Sequence, residues 1–466
     1  MKKFILISIF ILLTNFIFSA DGFFIIHKSF KSKYLTFPHN IIVYLPRDYS
    51  NTTKSYPVLY AHDGQNLFDA KTGFGGKEWM LDENIDELVK QGLLDGIIVV
   101  GIYNNAERIS EYTPSFISNQ WVVNQGGKLS NYAKFIVEEL KPFIDSNYRT
   151  LKDRNNNGVM GSSLGGIASF YILGWYPEVF SKAACISPSF WWDDVRVTND
   201  INNLNFPSDC RIYIDGGFKE GDDESSMIIH MRSVYNLLLK KGLKTFDNIM
   251  YYEDPFGAHS EFDWARRGKS PILYLYGNYL SNIKDVKYYI IPNKIGIGDE
   301  SFLSIEICLK SGLKFTEFFN NIKVLDPEIL KFNEGKLIGL KNGKTLIEFN
   351  LDNSNYTKEI EILPFSRDII TIKLNIISLN DVSTIKLNVI KENKIETNYF
   401  IELNMINKTN GYCEITRKSG TILKYEIANN NGENAYNIND KLIQLSLTFN
   451  KNKEVTNVIE KWKIKE

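Results

Sequence analysis

Asn157-Gly158-Val159-Met160-Gly161-Ser162-Ser163-Leu164-Gly165-Gly166 is the stretch whose reading decides the fold. A short apolar run enters it, and a helical pattern with Ile167, Phe170, Tyr171 and Leu173 leaves it, so it reads as strand, tight turn, helix. Gly161-Ser162-Ser163-Leu164-Gly165 carries the spacing G-x-S-x-G, which sets a serine at the tip of a strained turn with its Oγ exposed above a sheet. Side chains two residues to either side would collide there, which is why both positions are glycine. Ser163 fits; Ser162 has Met160 and Leu164 at those offsets and does not. The helix that starts here aims its N-terminal N–H groups at the site, where they favour a developing oxyanion.

Outward from the elbow, apolar runs alternate with amphipathic segments. Strands are expected at Ile41–Pro46, Tyr56–Ala61, Ile97–Ile102, Gly158–Met160, Lys182–Ile186, Arg211–Asp215 and Asn248–Glu253. Helices are expected at Asp82–Leu94, with Ile85, Leu88 and Leu93 on one face, at Tyr132–Asn147 and at about Ser226–Lys241. That alternation implies a mainly parallel sheet covered on both faces. After about Asn282 the helical periodicity stops. Alternating segments such as Thr371-Ile372-Lys373-Leu374-Asn375-Ile376, with Asn/Gly turns, suggest β-sandwich modules near 284–365 and 366–466.

The 466 residues suggest two to four domains, and 44% apolar with 23% charged is ordinary globular composition. A net charge of −1 gives no footprint for nucleic acid or any other polyanion. Met1-Lys2-Lys3, the apolar run to Phe18 and Ser19-Ala20 read as a secretory signal peptide over 1–20, so the mature protein is expected to be exported, with no stable membrane insertion once the signal is cleaved. Cys185, Cys210, Cys308 and Cys413 lack the spacing of a metal site or disulfide framework and are read as buried free thiols.

A serine hydroxyl needs a base. Of His27, His39, His62, His230 and His259, only the last two follow the elbow, as the chain order serine, acid, histidine requires. His230 lies inside a helical stretch. His259 follows the final strand, where functional residues collect, and is the expected base. The acid should follow Arg211–Asp215, in the loop Gly216–Glu224. Glu220 is the first choice and Asp223 the second, while Asp215 sits close to the strand. Oxyanion donors are expected from the N–H of Leu164 and from His62-Asp63-Gly64-Gln65-Asn66, with Gln65 favoured and His62 structural.

Residues 41–270 resemble the esterase family that contains esterase D, feruloyl and acetyl xylan esterases, and enterochelin esterases. The resemblance rests on Val43-Tyr44-Leu45-Pro46, His62-Asp63-Gly64-Gln65-Asn66-Leu67-Phe68, Val100-Gly101-Ile102, Arg108-Ile109-Ser110-Glu111-Tyr112-Thr113-Pro114 and Tyr148-Arg149-Thr150. Gly161-Ser162-Ser163-Leu164-Gly165-Gly166 and Ser187-Pro188-Ser189-Phe190-Trp191-Trp192 complete it. It implies an α/β-hydrolase fold and a serine carboxylic-ester hydrolase that needs no metal or cofactor, with nucleophile, base and acid falling at Ser163, His259 and Glu220. The implied partner is a small-molecule or polysaccharide-linked ester; a siderophore esterase, an acyltransferase and a non-catalytic binding protein are the alternatives. Trp191 and Trp192, past one strand end, and Arg108 and Tyr112, past another, are candidate substrate contacts; packing, and an Arg108–Glu111 ion pair, compete with that role. Val324–Ile329 with Gly335–Lys344 resembles a bacterial immunoglobulin-like domain, and Asn410–Glu414 with Leu423–Glu426 a starch-binding-type β-sandwich that lacks sugar-stacking tryptophans. All site candidates precede residue 270, so a chain ending near Asn282 is expected to keep full activity on a small soluble ester.

Overall fold

The computed structural model describes residues 16–18, 22–118, 122–220, 226–279, 281–317, 322–351, 354–364, 369–378, 384–391, 394–418, 422–429, 433–436, 444–448, 453–459 and 461–464. They fall into two compact units, one of residues 1–221, 225–287 and 306–317, the other of 222–224, 288–305 and 318–466.

The first unit is built on a nine-stranded sheet. Its early strands are β1 (Phe16–Phe18), β2 (Gly22–Phe30), β3 (His39–Pro46), β4 (Val58–His62) and β5 (Ile98–Ile102). A separate two-stranded hairpin follows, β6 (Phe116–Ile117) with β7 (Gln125–Gly126). The sheet resumes with β8 (Asn157–Ser162), β9 (Lys182–Ile186), β10 (Arg211–Lys219) and β11 (Ile249–Ala258). The order is β1-β2-β3-β5-β4-β8-β9-β10-β11. From β5 to β11 every pairing is parallel, and β1, β2 and β3 join antiparallel. β4, β5 and β8 are buried at every residue, which needs cover on both faces of the sheet.

The helices are α1 (Leu81–Lys90), α2 (Arg108–Tyr112), α3 (Leu129–Lys134), α4 (Lys141–Asn147), α5 (Leu164–Trp175), α6 (Trp192–Val195), α7 (Val197–Asp200), α8 (Ser226–Lys240), α9 (Glu261–Arg267) and α10 (Lys269–Tyr276). α1 buries Leu81, Ile85 and Leu88 but ends before Leu93, because Gly92 takes a left-handed φ of 69°. The expected helix over 132–147 is in fact α3 and α4 joined through a π-helical stretch, Phe135–Leu140. Most of the expected signal peptide, 1–15 and 19–20, lies outside the described residues, while Phe16–Phe18 pairs with Phe23–Ile25. Cys185, Cys210 and Cys413 are buried free thiols, as expected; Cys308 is only half-buried. Burial pushes the Cys210 thiol up to about 12.

Residues 306–317 belong with this unit although they lie beyond the expected border at 283. The Tyr252 hydroxyl donates to Glu306 at 2.7 Å, the Glu253 N–H donates to the Thr316 hydroxyl at 2.9 Å, and the Phe315 ring meets Phe246 edge-on at 4.3 Å. All three contacts secure β11 or the turn entering it. A chain ending at Asn282 is therefore expected to be markedly less stable than the whole protein, since losing one such buried phenyl costs about 3–5 kcal/mol. Its hydrolysis of p-nitrophenyl acetate should survive in the cold and fail on warming. Thermal melts of both chains check this; equal midpoints would show that β11 holds without the added segment.

The second unit is all β. One sheet pairs 295–296, 354–363, 343–351 and 323–324 in that order. Further along, 404–405, 410–418, 369–378 and 453–459 form one sheet, and 385–391, 394–402, 422–429, 433–436, 444–448 and 461–464 form another. Leu374, Ile376, Ile385, Leu387, Tyr425 and Ile427 meet in one core between them. Two sheets around a shared core make the β-sandwich that the alternating sequence predicts.

Candidate active site

The elbow has the geometry that its glycines require. Ser163 follows β8 and precedes α5 with φ 55° and ψ −119°, a strained conformation for any residue but glycine. A Cβ at Gly161 would stand 2.6 Å from the Gly165 carbonyl carbon, so a side chain there would push the turn apart. The Ser163 N–H donates to Ile186 O at 2.9 Å, tying the turn to β9. The Ser163 hydroxyl lies 3.2 Å from the hydroxyl of Ser189, whose N–H donates to Ser163 O.

β10 and β11 place the next two groups. Glu220 directly follows β10 and His259 directly follows β11, and the two strands pair in parallel, so both residues emerge at one end of the sheet. The strands run close there: a Cβ at Gly217 would lie 2.0 Å from Gly257 O. His259 Nδ1 is 3.0 Å from Glu220 Oε2. The glutamate is wholly buried, and the imidazole, 36% exposed, faces outward. Asp222, Asp223 and Glu224, which include the second candidate acid, lie outside the described residues.

Glu220 is held rigidly. Its Oε1 accepts from the Ser187 hydroxyl at 2.7 Å and the Gly217 N–H at 2.8 Å, and Arg267 stands 3.3 Å away. Burial alone would raise its pKa. The His259 bond and the Arg267 charge outweigh that and hold the carboxyl below its ordinary value, so it stays ionised. Arg267, on α9 and almost wholly buried, also pairs with Asp215 at 3.2 Å and reaches Ser187 at 2.8 Å. Asp215 is thus engaged by Arg267, and burial lifts its carboxyl to about 6. The Trp264 indole N–H donates to Ser187 at 2.9 Å, and its ring packs edge-on against His259 at 5.0 Å. Sequence reading missed Ser187, Ser189, Trp264 and Arg267 as supports. Ser187 and Ser189 lay inside a quoted family stretch, but nothing along the chain joins Arg267 to Glu220, 47 positions away.

The loop after β4 lies across from the elbow helix. Asp63 is left-handed, φ 54°, and Gly64-Gln65-Asn66 makes one turn of 3₁₀ helix. The Gln65 side chain accepts from the Asn104 N–H at 3.1 Å, which fixes the turn, and a Cβ on Gly165 would touch His62 at 3.2 Å. Gln65 and Leu164 thus sit on two segments that meet beside the serine. Arg108 grips Asp63 through two bonds of 2.7 Å. The Arg108–Glu111 ion pair, weighed as the alternative to substrate contact, does not form: Glu111 faces His39 at 3.2 Å instead.

The four candidate substrate contacts divide. Trp191 is 41% exposed, and Arg108 keeps part of its side chain in solvent. Tyr112 and Trp192 are buried. Tyr112 accepts the Asp63 N–H at 3.1 Å, and the Trp192 indole donates to Ser115 O at 3.1 Å. His230 is half-buried on α8, as expected.

His62 is structural, as read. It is wholly buried, 3.0 Å from the Tyr132 hydroxyl, and burial lowers its pKa from 6.5 to about 4. It therefore stays neutral in the fold while the unfolded chain takes a proton below 6.5. Its contribution is complete above pH 6.5 and is lost as pH falls through 4, on the order of 3 kcal/mol in all. Urea titrations between pH 7 and 4 should show this slope, and His62→Gln should flatten it.

A parallel sheet with a strained serine elbow after β8 and a histidine–carboxylate pair at the ends of β10 and β11 defines a serine carboxylic-ester hydrolase of the α/β-hydrolase class. The chain belongs to the family described as Putative esterase, whose model matches residues 32–267. It is 27% identical over 248 residues to the uncharacterized protein YbbA of Bacillus subtilis, covering 52% of this chain and 94% of that one. It is 29% identical over 151 residues to an endo-1,4-beta-xylanase/feruloyl esterase of Xylanibacter ruminicola, 31% of this chain and 19% of that one. It is 28% identical over 202 residues to the ferri-bacillibactin esterase BesA of Bacillus subtilis, 39% and 66%. Among solved structures, the BES protein from Bacillus cereus aligns with a TM-score of 0.45 at 22% identity, over 56% of this chain and 97% of that one.

Proposed function

We propose that this esterase cleaves its substrate through an acyl-Ser163 intermediate, with His259 as base and Glu220 as the acid that orients it. The observation that carries this reading is the 3.0 Å contact between His259 Nδ1 and a buried, ionised Glu220 at the end of the sheet where Ser163 stands. The carboxylate fixes the tautomer with the proton on Nδ1, leaving Nε2 to receive the serine proton. Ser163 Oγ, resting against Ser189, turns to His259 and attacks the ester carbonyl. The N–H groups of Leu164 and Gln65 receive the oxyanion. His259 then returns the proton to the leaving alcohol, and water, deprotonated by His259, releases the acid.

The substrate we propose is an acylated carbohydrate or a related ester, handled outside the cell after removal of residues 1–20. Trp191 and Arg108 would contact it. The feruloyl-esterase name of one similar protein supports this reading, and the ferri-bacillibactin esterase name of another supports a siderophore ester as the second. We place the hydrolase at 21–283 together with the segment 306–317 that packs on it, an immunoglobulin-like module in the rest of 284–365, and a β-sandwich that binds carbohydrate or serves as a spacer at 366–466. Hydrolysis of a panel of acetylated xylan, methyl ferulate, a triscatecholate siderophore and simple acyl esters tests the assignment. Preference for the triscatecholate would replace the carbohydrate reading, and turnover of none would remove both.

A further inference from the structure

Glu78, Asp82 and Glu83 bring three carboxylates together at the start of α1, with one oxygen of each within 4.8 Å of the others. Acidic residues in a helix's first turn usually face water and complement the helix dipole. Asp82 does not, and Glu78 does so only in part. Asp82 is only 8% exposed, and its Oδ1 is buried without a hydrogen-bond partner; Glu78 Oε2 is likewise buried and unpartnered. Among the described residues no lysine or arginine forms an ion pair with any of the three. Like charges so close, with buried oxygens that no donor meets, are relieved either by a proton on one carboxyl or by a bound cation.

We propose that Glu78, Asp82 and Glu83 bind one divalent cation of the calcium class. The ligands are all carboxylate oxygens, with no histidine or cysteine, which selects a hard cation. Asp82 and Glu83 are adjacent in the first turn of α1, and Glu78 precedes it. Calcium accepts carboxylate sets of flexible geometry, whereas magnesium demands near-ideal octahedral geometry.

The site's place in the fold gives it a purpose. Between Glu78 and α1, the Trp79 N–H donates to Asn66 O at 2.8 Å and the Leu81 N–H to Leu67 O at 3.1 Å. The Trp79 ring lies 5.6 Å from Trp264, the residue packed against His259. A cation here pins the chain where it returns from the Gln65 turn and backs the tryptophan that supports the histidine. Its role is structural, and no step of ester cleavage passes through it. Sequence reading assigned no metal ligand, because Glu78…Asp82-Glu83 looks like an ordinary acidic helix start.

The test uses the full chain stripped with EDTA. Terbium should bind at one equivalent and luminesce through excitation of the neighbouring Trp79, and calcium should displace it. Calcium should also raise the melting temperature, magnesium much less. Asp82→Asn should abolish both responses while leaving the ion-free protein at least as stable, because one crowded charge is gone. Should that variant fail to fold, Glu83→Gln, at an exposed position, should fold normally and bind roughly tenfold more weakly. Absence of luminescence and of any thermal shift up to about 10 mM calcium overturns the proposal. So does terbium binding that neither variant weakens, which would place the ion elsewhere.

Discussion

Ser163→Ala is expected to abolish ester turnover, lowering kcat on the order of 10⁶-fold, while the protein keeps its melting temperature. Removing the nucleophile of such a constellation costs about as much as removing the whole of it, because the parts act as one unit. His259→Ala should match it, and combining the two should add little. The fold should tolerate the change because what is deleted is one hydroxyl that touches Ser189 at 3.2 Å; the backbone bond from Ser163 N to Ile186 O remains. Rates with p-nitrophenyl acetate, alongside circular dichroism, decide it. A folded variant that keeps a tenth of the activity would mean that Ser163 is not the nucleophile.

Glu220→Gln is expected to lower kcat about 10⁴-fold, with KM nearly unchanged. The amide fills the same space but can present its NH₂ to His259, which favours the wrong imidazole tautomer and gives no charge to stabilise imidazolium. The loss is smaller than at Ser163 because the elbow and oxyanion donors remain. The cluster should hold together, since Arg267 keeps Asp215 and Asp254 as partners at 3.2 Å and 3.5 Å. Asp223→Asn should have little effect. The opposite ranking would transfer the acid's role to Asp223, and no effect from either would leave a Ser–His dyad.

The esterase chemistry was legible because it is local. Gly161 and Gly165 report a steric constraint four residues long, and a Cβ at Gly161 does meet Gly165. The parallel core was legible for a related reason: a strand covered on both faces must be apolar throughout, as Ile98–Ile102 is. His259 and Glu220 were found from chain order and strand ends, which topology constrains.

What the sequence determined by itself was therefore the sheet and the elbow, and it singled out the serine, histidine and glutamate that we propose as nucleophile, base and acid. Only the tertiary structure decided which charges pair. Arg108 chose Asp63 over Glu111, three residues along its own helix, because the Asp63 turn offers both carboxylate oxygens to the guanidinium fork. Arg267 reached Glu220 and Asp215 from α9 because parallel β10 and β11 bring their ends beneath that helix. It also decided that Trp191 is exposed while Trp192, its neighbour, is buried. Residues 306–317 joined the hydrolase unit through Phe315, Thr316 and Glu306, contacts that no period in the sequence encodes. Periodicity reports which face of an element is buried; partners far apart along the chain are fixed by packing alone.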